Sequence, residues 1–277
     1  MVSVEKARDF VHAHGVMWER ALWDYLFDNG PVEKVHQRLA CYKNSDGGWG
    51  HGLEHDIKAP IPNPLMLEFL LSIIRVTRLP VGSLLEGTSE WLEKIQKPDG
   101  SLENPPELLN YPHAQWWQEG QSIPDSITGN LLALKLCPPP VREKTRMWVQ
   151  KNLTLEKIHA NNWLFMAYHP HDYFLNEDSF PDLEEYQTAA LENIYACALG
   201  HEERGEMNKL FPFFKFATGA ESRVAKEAPS GLVDRILDHL VSSQREDGGW
   251  DDEHGLPYWQ PYFSTIILLA LKRFGRL

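Results

Sequence analysis

The sequence predicts an all-α fold, a single α/α toroid in which about six outer/inner helix pairs close around a central cavity. Three observations predict it. A Gly-rich motif recurs with a period near fifty residues, each clear copy closes an amphipathic helix, and the helix that follows is apolar nearly all round. No Gly/Ser-rich or charge-rich linker divides residues 1–277, so one domain is expected.

The chain opens on a stretch without an apolar signal core, since Val2-Ser3-Val4 gives way to Glu5, Lys6 and Arg8. The first copy of the motif is Tyr42-Lys-Asn-Ser-Asp-Gly-Gly-Trp49. The second is Trp91-Leu-Glu-Lys-Ile-Gln-Lys-Pro-Asp-Gly-Ser101 and the third Leu240-Val-Ser-Ser-Gln-Arg-Glu-Asp-Gly-Gly-Trp250. Trp49, Ser101 and Trp250 are spaced by 52 and 149 residues, the second interval close to three periods. The copies expected between them are degenerate, and Trp148-Val-Gln150 keeps a trace of one. Ahead of the third copy, Val233, Ile236, Leu237, Leu240 and Val241 form an apolar stripe, which marks an outer helix with one face in solvent. The glycines then stop the helix, because Gly reaches the left-handed backbone region. Pro64 to Arg78, Ile123 to Leu136 and Tyr262 to Phe274 are the inner helices, apolar on every side and therefore buried. Between Val141 and Pro229 the helical register stays open. Trp49 and Trp250 are expected to be buried structural residues at helix ends, and Trp163 to pack in the core.

The net charge of −12 and the absence of a Lys/Arg cluster argue against a nucleic-acid partner. The longest apolar stretch, Leu65 to Ile74, is half a membrane span and contains Glu68. A soluble, cytoplasmic protein without a transmembrane segment is expected. Cys41, Cys137 and Cys197 form no CxxC pair or Cys/His spacing, and are read as buried free thiols.

Gln-x-x-Asp-Gly-Gly-Trp at the end of an outer helix, seen best in Gln244 to Trp250, resembles the QW repeat of squalene–hopene cyclases. More loosely it is similar to the repeats of protein prenyltransferases, so the chain resembles the terpenoid cyclase/prenyltransferase superfamily. That resemblance implies a toroid with an aromatic cavity, in which the Gln caps neighbouring backbone and the Trp stacks. It also implies catalytic motifs that this chain lacks. The Asp-x-Asp-Asp-Thr of the cyclases is reduced to Glu184-Glu-Tyr-Gln-Thr188 or Asp125-Ser-Ile-Thr128, and no Cys follows Trp250 to bind a prenyltransferase zinc.

Loops between the stops and the inner helices gather chemistry, as loops on a rigid scaffold do. Asp125 at an inner-helix start is the leading general-acid candidate, although Ser122-x-x-Asp125 also reads as a capping box. Asp251, Asp252 and His254 join it as catalytic candidates at one mouth of the ring. Trp116, Trp117, Tyr258, Trp259 and Glu68 are candidates for substrate binding, by stacking or by cation–π attraction. His51, His55, Asp56, His169 and His171 could hold a divalent metal, or be ordinary loop residues. The leading functional expectation is an isoprenoid-handling enzyme, of terpene cyclase or prenyltransferase type, that binds a hydrophobic chain. A carbohydrate-active enzyme (polysaccharide lyase or glycosidase) and a non-catalytic binding toroid are the alternatives.

Overall fold

The periodicities become helices, and the computed structural model, which describes residues 2–116 and 123–277, forms no strand among them. In order these are α1 (Val4–His14), α2 (Met17–Phe27), α3 (Val32–Ala40), α4 (Pro64–Thr77), α5 (Thr88–Ile95), α6 (Pro124–Ala133) and α7 (Pro139–Asn152). There follow α8 (Leu155–Ala160), α9 (Tyr168–Phe174), α10 (Leu183–Glu203), α11 (Phe213–Phe216), α12 (Arg223–Lys226), α13 (Leu232–Ser242) and α14 (Gln260–Arg273). The expected inner helices are α4, α6 and α14. The register that the sequence left open resolves into α7 to α12, and Trp148 lies inside α7 rather than at a helix stop. No helix among the described residues is long and apolar enough to cross a membrane.

The three motif copies make the same turn. Asp46, Asp99 and Asp247 each accept the backbone N–H two residues ahead, at 2.9, 3.1 and 3.0 Å. The next residue in each is a glycine with φ of 90°, 87° and 94°. Each glycine sits hard against the backbone of a later or earlier helix. A Cβ on Gly47 would stand 2.2 Å from the Gly87 oxygen at the start of α5, and one on Gly100 2.0 Å from the Lys144 oxygen in α7. On Gly248 it would stand 2.2 Å from the Lys6 carbonyl carbon in α1. Side chains lock the seats. The Gln96 amide donates to the Gly100 carbonyl at 3.1 Å and to Thr145 of α7 at 2.9 Å. Gln244 donates to the Gly248 and Ser3 carbonyls at 2.9 and 3.0 Å, and accepts the Ser3 N–H at 2.7 Å. The first copy lacks the Gln. There the Thr88 hydroxyl donates to the Gly47 carbonyl at 3.0 Å and receives the Trp49 indole N–H at 3.2 Å.

Two compact units form. One comprises Met1–Arg38, Asn162–Phe165 and Leu191–Leu277; the other Leu39–Asn161 and Met166–Ala190. In the first unit α14 is buried from Pro261 to Leu271 and packs on α1, α2 and α13. In the second, α6 lies between α4 and α9, and its residues Pro124 to Leu131 are all buried. Beside them Tyr173, Phe174, Phe180 and Tyr186 pack ring on ring with Val149 and Ile158.

Trp49 and Trp250 are fully buried as expected, the latter donating its indole N–H to the Leu240 carbonyl at 2.8 Å. Two expectations fail. Trp163 is 37% exposed, because it precedes a short 3-10 turn instead of lying on a buried helix face. Cys41 is exposed in the turn after α3, and only Cys197 is a buried thiol.

Gly248→Ala should cost about 2–5 kcal/mol in urea unfolding, adding the left-handed penalty to the overpacking of α1. Gly275→Ala shares the positive φ (68°) but meets nothing within 4 Å, so it should cost only about 1–2 kcal/mol. Equal losses would show that the seat contributes nothing. Trp250→Ala should cost about 3–5 kcal/mol, and an unchanged melting temperature would refute its structural role.

Candidate functional site

A helix buried on every side has to satisfy each polar group it carries. α6 carries four in its first two turns, Asp125, Ser126, Thr128 and Asn130, all fully buried. Thr128 meets the Thr145 hydroxyl at 2.8 Å. The other three face charged partners from α4 and α9. The approach of α9 is so close that a Cβ on Gly129 would lie 2.0 Å from the Asp172 carbonyl oxygen.

Asp172 is the hub. Its Oδ2 accepts the Ser126 hydroxyl at 3.0 Å and the Asn130 amide at 2.9 Å. Its Oδ1 meets Arg75 of α4 at 3.1 Å and the His171 Nδ1 at 2.9 Å. Burial pushes this carboxyl up, but the Arg75 charge and the donors from His171 and Asn130 outweigh it and hold Asp172 at about 2. Burial pulls His171 below the ordinary range against the pull of Asp172, so a neutral imidazole donates its Nδ1 proton. Ser126 also lies 3.2 Å from Glu68 of α4. One hydroxyl proton serves either Glu68 or Asp172, which couples the two carboxyl groups.

Beside the hub, Asp125 occupies the second position of α6, where the helix dipole favours negative charge. Its Oδ2 pairs with the His169 Nδ1 at 2.8 Å, and its buried Oδ1 has no hydrogen-bond partner among the described residues. Burial pulls His169 down, yet the charges of Asp125, Glu68 and Asp172 and the Asp125 hydrogen bond raise it above its ordinary value. Tyr168 stacks on the His169 ring at 4.1 Å. Burial and the same three carboxylates hold its phenol well above the ordinary range, so it stays a proton donor. The loop before α4 adds Glu54. Burial first, then the charges of Asp56 and Glu68, raise its carboxyl well above the usual range, against the Asp56 N–H at 2.9 Å and the Lys58 charge. Outside it, the half-buried Asp56 accepts the indole N–H of Trp116 at 2.9 Å, and Trp116 is 43% exposed.

Glu68, Asp125, His169 and His171 thus come together in one unit, with Asp56 and Trp116 nearby. Trp117 and the Ser122 half of the capping box lie outside the described residues. His55 is buried in the loop and His51 is exposed there, at φ 57°. The other candidates belong to the first unit. Asp251 is exposed and paired with Arg245. Asp252 is buried and ties its own loop together, accepting the N–H groups of His254 (3.0 Å) and Leu256. His254 pairs with Glu253 at 2.8 Å, and its ring lies edge-on 6.3 Å from Trp163. Trp259 is buried and stacked on Phe263 at 5.3 Å, whereas Tyr258 is exposed. Glu177, another loop acid, is an anchor: burial raises it, but the Arg142 fork and two backbone N–H groups bring it to about 2.

Sequence patterns missed Arg75, Tyr168, Ser126 and Asn130. A signal existed for Arg75, which falls seven residues after Glu68 and so on the same helix face. Ser126 and Asn130 likewise stand four apart, on one face of α6. Compared with family models, curated proteins and solved structures, the chain matches none.

Asp172→Asn should cost about 3 kcal/mol at pH 7 by removing the buried charge that Arg75 and His171 bind. The loss carries a pH signature. A depressed carboxyl adds stability above its unfolded value, and that contribution disappears as pH falls toward about 2. The gap between variant and wild type should therefore close in acid, as followed by thermal melts from pH 7 down to pH 2.

Proposed function

We propose that the protein is an acid–base enzyme acting on a hydroxylated, saccharide-like substrate at the Glu54–Glu68–Asp125–His169 cluster. The observation that carries this reading is Glu54, a buried carboxyl that burial first, then the charges of Asp56 and Glu68, raise well above the usual range. A raised carboxyl beside a second one can divide the labour of acid and base with it. Glu54 would donate its proton to the oxygen of the bond being cleaved. Glu68, half-exposed, would face the positive charge that develops on the adjoining carbon and guide the water that replaces the leaving group. Asp125 would orient His169, and the Tyr168 phenol stacked on that imidazole would supply a hydrogen-bond donor to substrate oxygens. Trp116, exposed and tied to Asp56, would offer a face for a sugar ring beside a carboxylate for its hydroxyls.

The isoprenoid reading draws on the Gln-x-x-Asp-Gly-Gly-Trp repeats, and the seating of the last Asp-Gly turn on α1 supports the ring that those repeats would build. Carboxylates, two histidines and an arginine are poor walls for a hydrocarbon chain, because burying charge against it costs heavily. For that reason we place the saccharide substrate first.

A panel of aryl glycosides and acidic and neutral polysaccharides, run beside polyprenyl diphosphates, separates the readings. Turnover is expected on a saccharide and should fall at least about 100-fold in Glu54→Gln. Activity should decline as pH rises through the raised Glu54 value, since the proton donor is then lost. Stability gives an independent check. A raised carboxyl contributes stability below its unfolded value and loses it as pH rises through its folded one, so Glu54→Gln should melt higher than wild type above that range. Polyprenyl products, or saccharide turnover indifferent to Glu54→Gln, would overturn the proposal.

A further inference from the structure

In the first unit, α1 runs into α2 through Gly15 and Val16, and three potential metal ligands meet there. Asp24 and Asp28 stand four residues apart, on one face at the C-terminal end of α2. That is an unfavourable place for two carboxylates. The helix end carries partial negative charge, like charges at this spacing repel, and α2 has no basic residue in its last turn. Lys272 reaches this end of α2 but spends its ammonium on the Leu26 carbonyl at 3.0 Å and on the Phe27 ring. His12, in the last turn of α1, brings its Nε2 to 3.0 Å from Asp24 Oδ1. That nitrogen is shielded from solvent, yet it forms no properly angled hydrogen bond. One atom from each of the three side chains lies within 4.8 Å of the others, and no other trio of His, Cys, Asp or Glu among the described residues gathers so closely.

We infer that His12, Asp24 and Asp28 form a binding site for a divalent transition-metal ion, with zinc the natural probe. One imidazole and two carboxylates suit zinc and its neighbours, whereas magnesium and calcium prefer oxygen alone. Ligand atoms around a tetrahedral zinc stand about 3.4 Å apart, so the site must tighten by roughly an ångström. Asp28, exposed as the C-cap of α2, is the ligand free to move. With three protein ligands the ion keeps an open position for water. Its service is structural: it removes the repulsion at the end of α2 and ties α2 to α1, the helix on which the last Asp-Gly turn sits. The site is independent of the Glu54 cluster.

The full-length protein, stripped with chelator, is titrated with zinc by calorimetry and melted with and without the ion. One equivalent is expected to bind, with a melting temperature raised by several degrees and no response to magnesium. His12→Ala and Asp24→Asn should each weaken binding at least tenfold, while circular dichroism confirms that both remain folded. His36→Ala, on α3, should bind as wild type does. Absence of stoichiometric binding overturns the inference. So does binding that survives both variants, or that is lost in His51→Ala and kept in His12→Ala.

Discussion

A carbonyl group two ångströms from where a side chain would begin admits glycine alone, and three helices of this protein are positioned by that contact. Gly47, Gly100 and Gly248 let a loop backbone touch a helix backbone, and no other residue type combines their left-handed φ with so short an approach. The aspartate before each glycine preforms the turn, so little entropy remains to be lost when the helix docks. Trp49 and Trp250, after the first and last of these turns, are fully buried and hydrogen-bonded to Thr88 and the Leu240 carbonyl. Packing at this density leaves no slack.

The second unit does something costly. It buries acids, and the cost is met by concentrating donors. Asp172 alone takes up four, from four different residues on three helices. The charge is thereby fixed in place, and with Glu68 and Asp125 it helps to raise Tyr168 and His169 above their ordinary values. Asp125 is less completely satisfied than the hub beside it, since its Oδ1 has no hydrogen-bond partner among the described residues. Reactive groups differ from structural ones in this way, keeping bonding capacity that a ligand can use.

The fold was readable because its devices are local. A glycine after an aspartate announces its turn, and an apolar stripe announces its helix face, so α4, α6, α13 and α14 fall close to where the periodicity put them. Asp125 was readable for the same reason, an acid at the first turn of an apolar helix. What escaped is non-local. Nothing near Arg75 in the chain tells that Asp172 will stand 3.1 Å away, ninety-seven residues on. Asp251 and Asp252 look alike in sequence, yet one pairs with Arg245 on the surface and the other is sealed inside its loop. Trp163 shows the converse error, since a large aromatic is placed by its neighbours and not by its own hydrophobicity.

The clasp between Ser3 and Gln244 joins residues 241 positions apart. Its consequence lies in the order of assembly. The second unit draws on one central stretch, apart from a four-residue interruption, and can gather itself while the polypeptide is still growing from the ribosome. The first unit cannot, for α1 and α2 emerge early and then wait for α13 and α14, with their apolar faces uncovered, through most of translation.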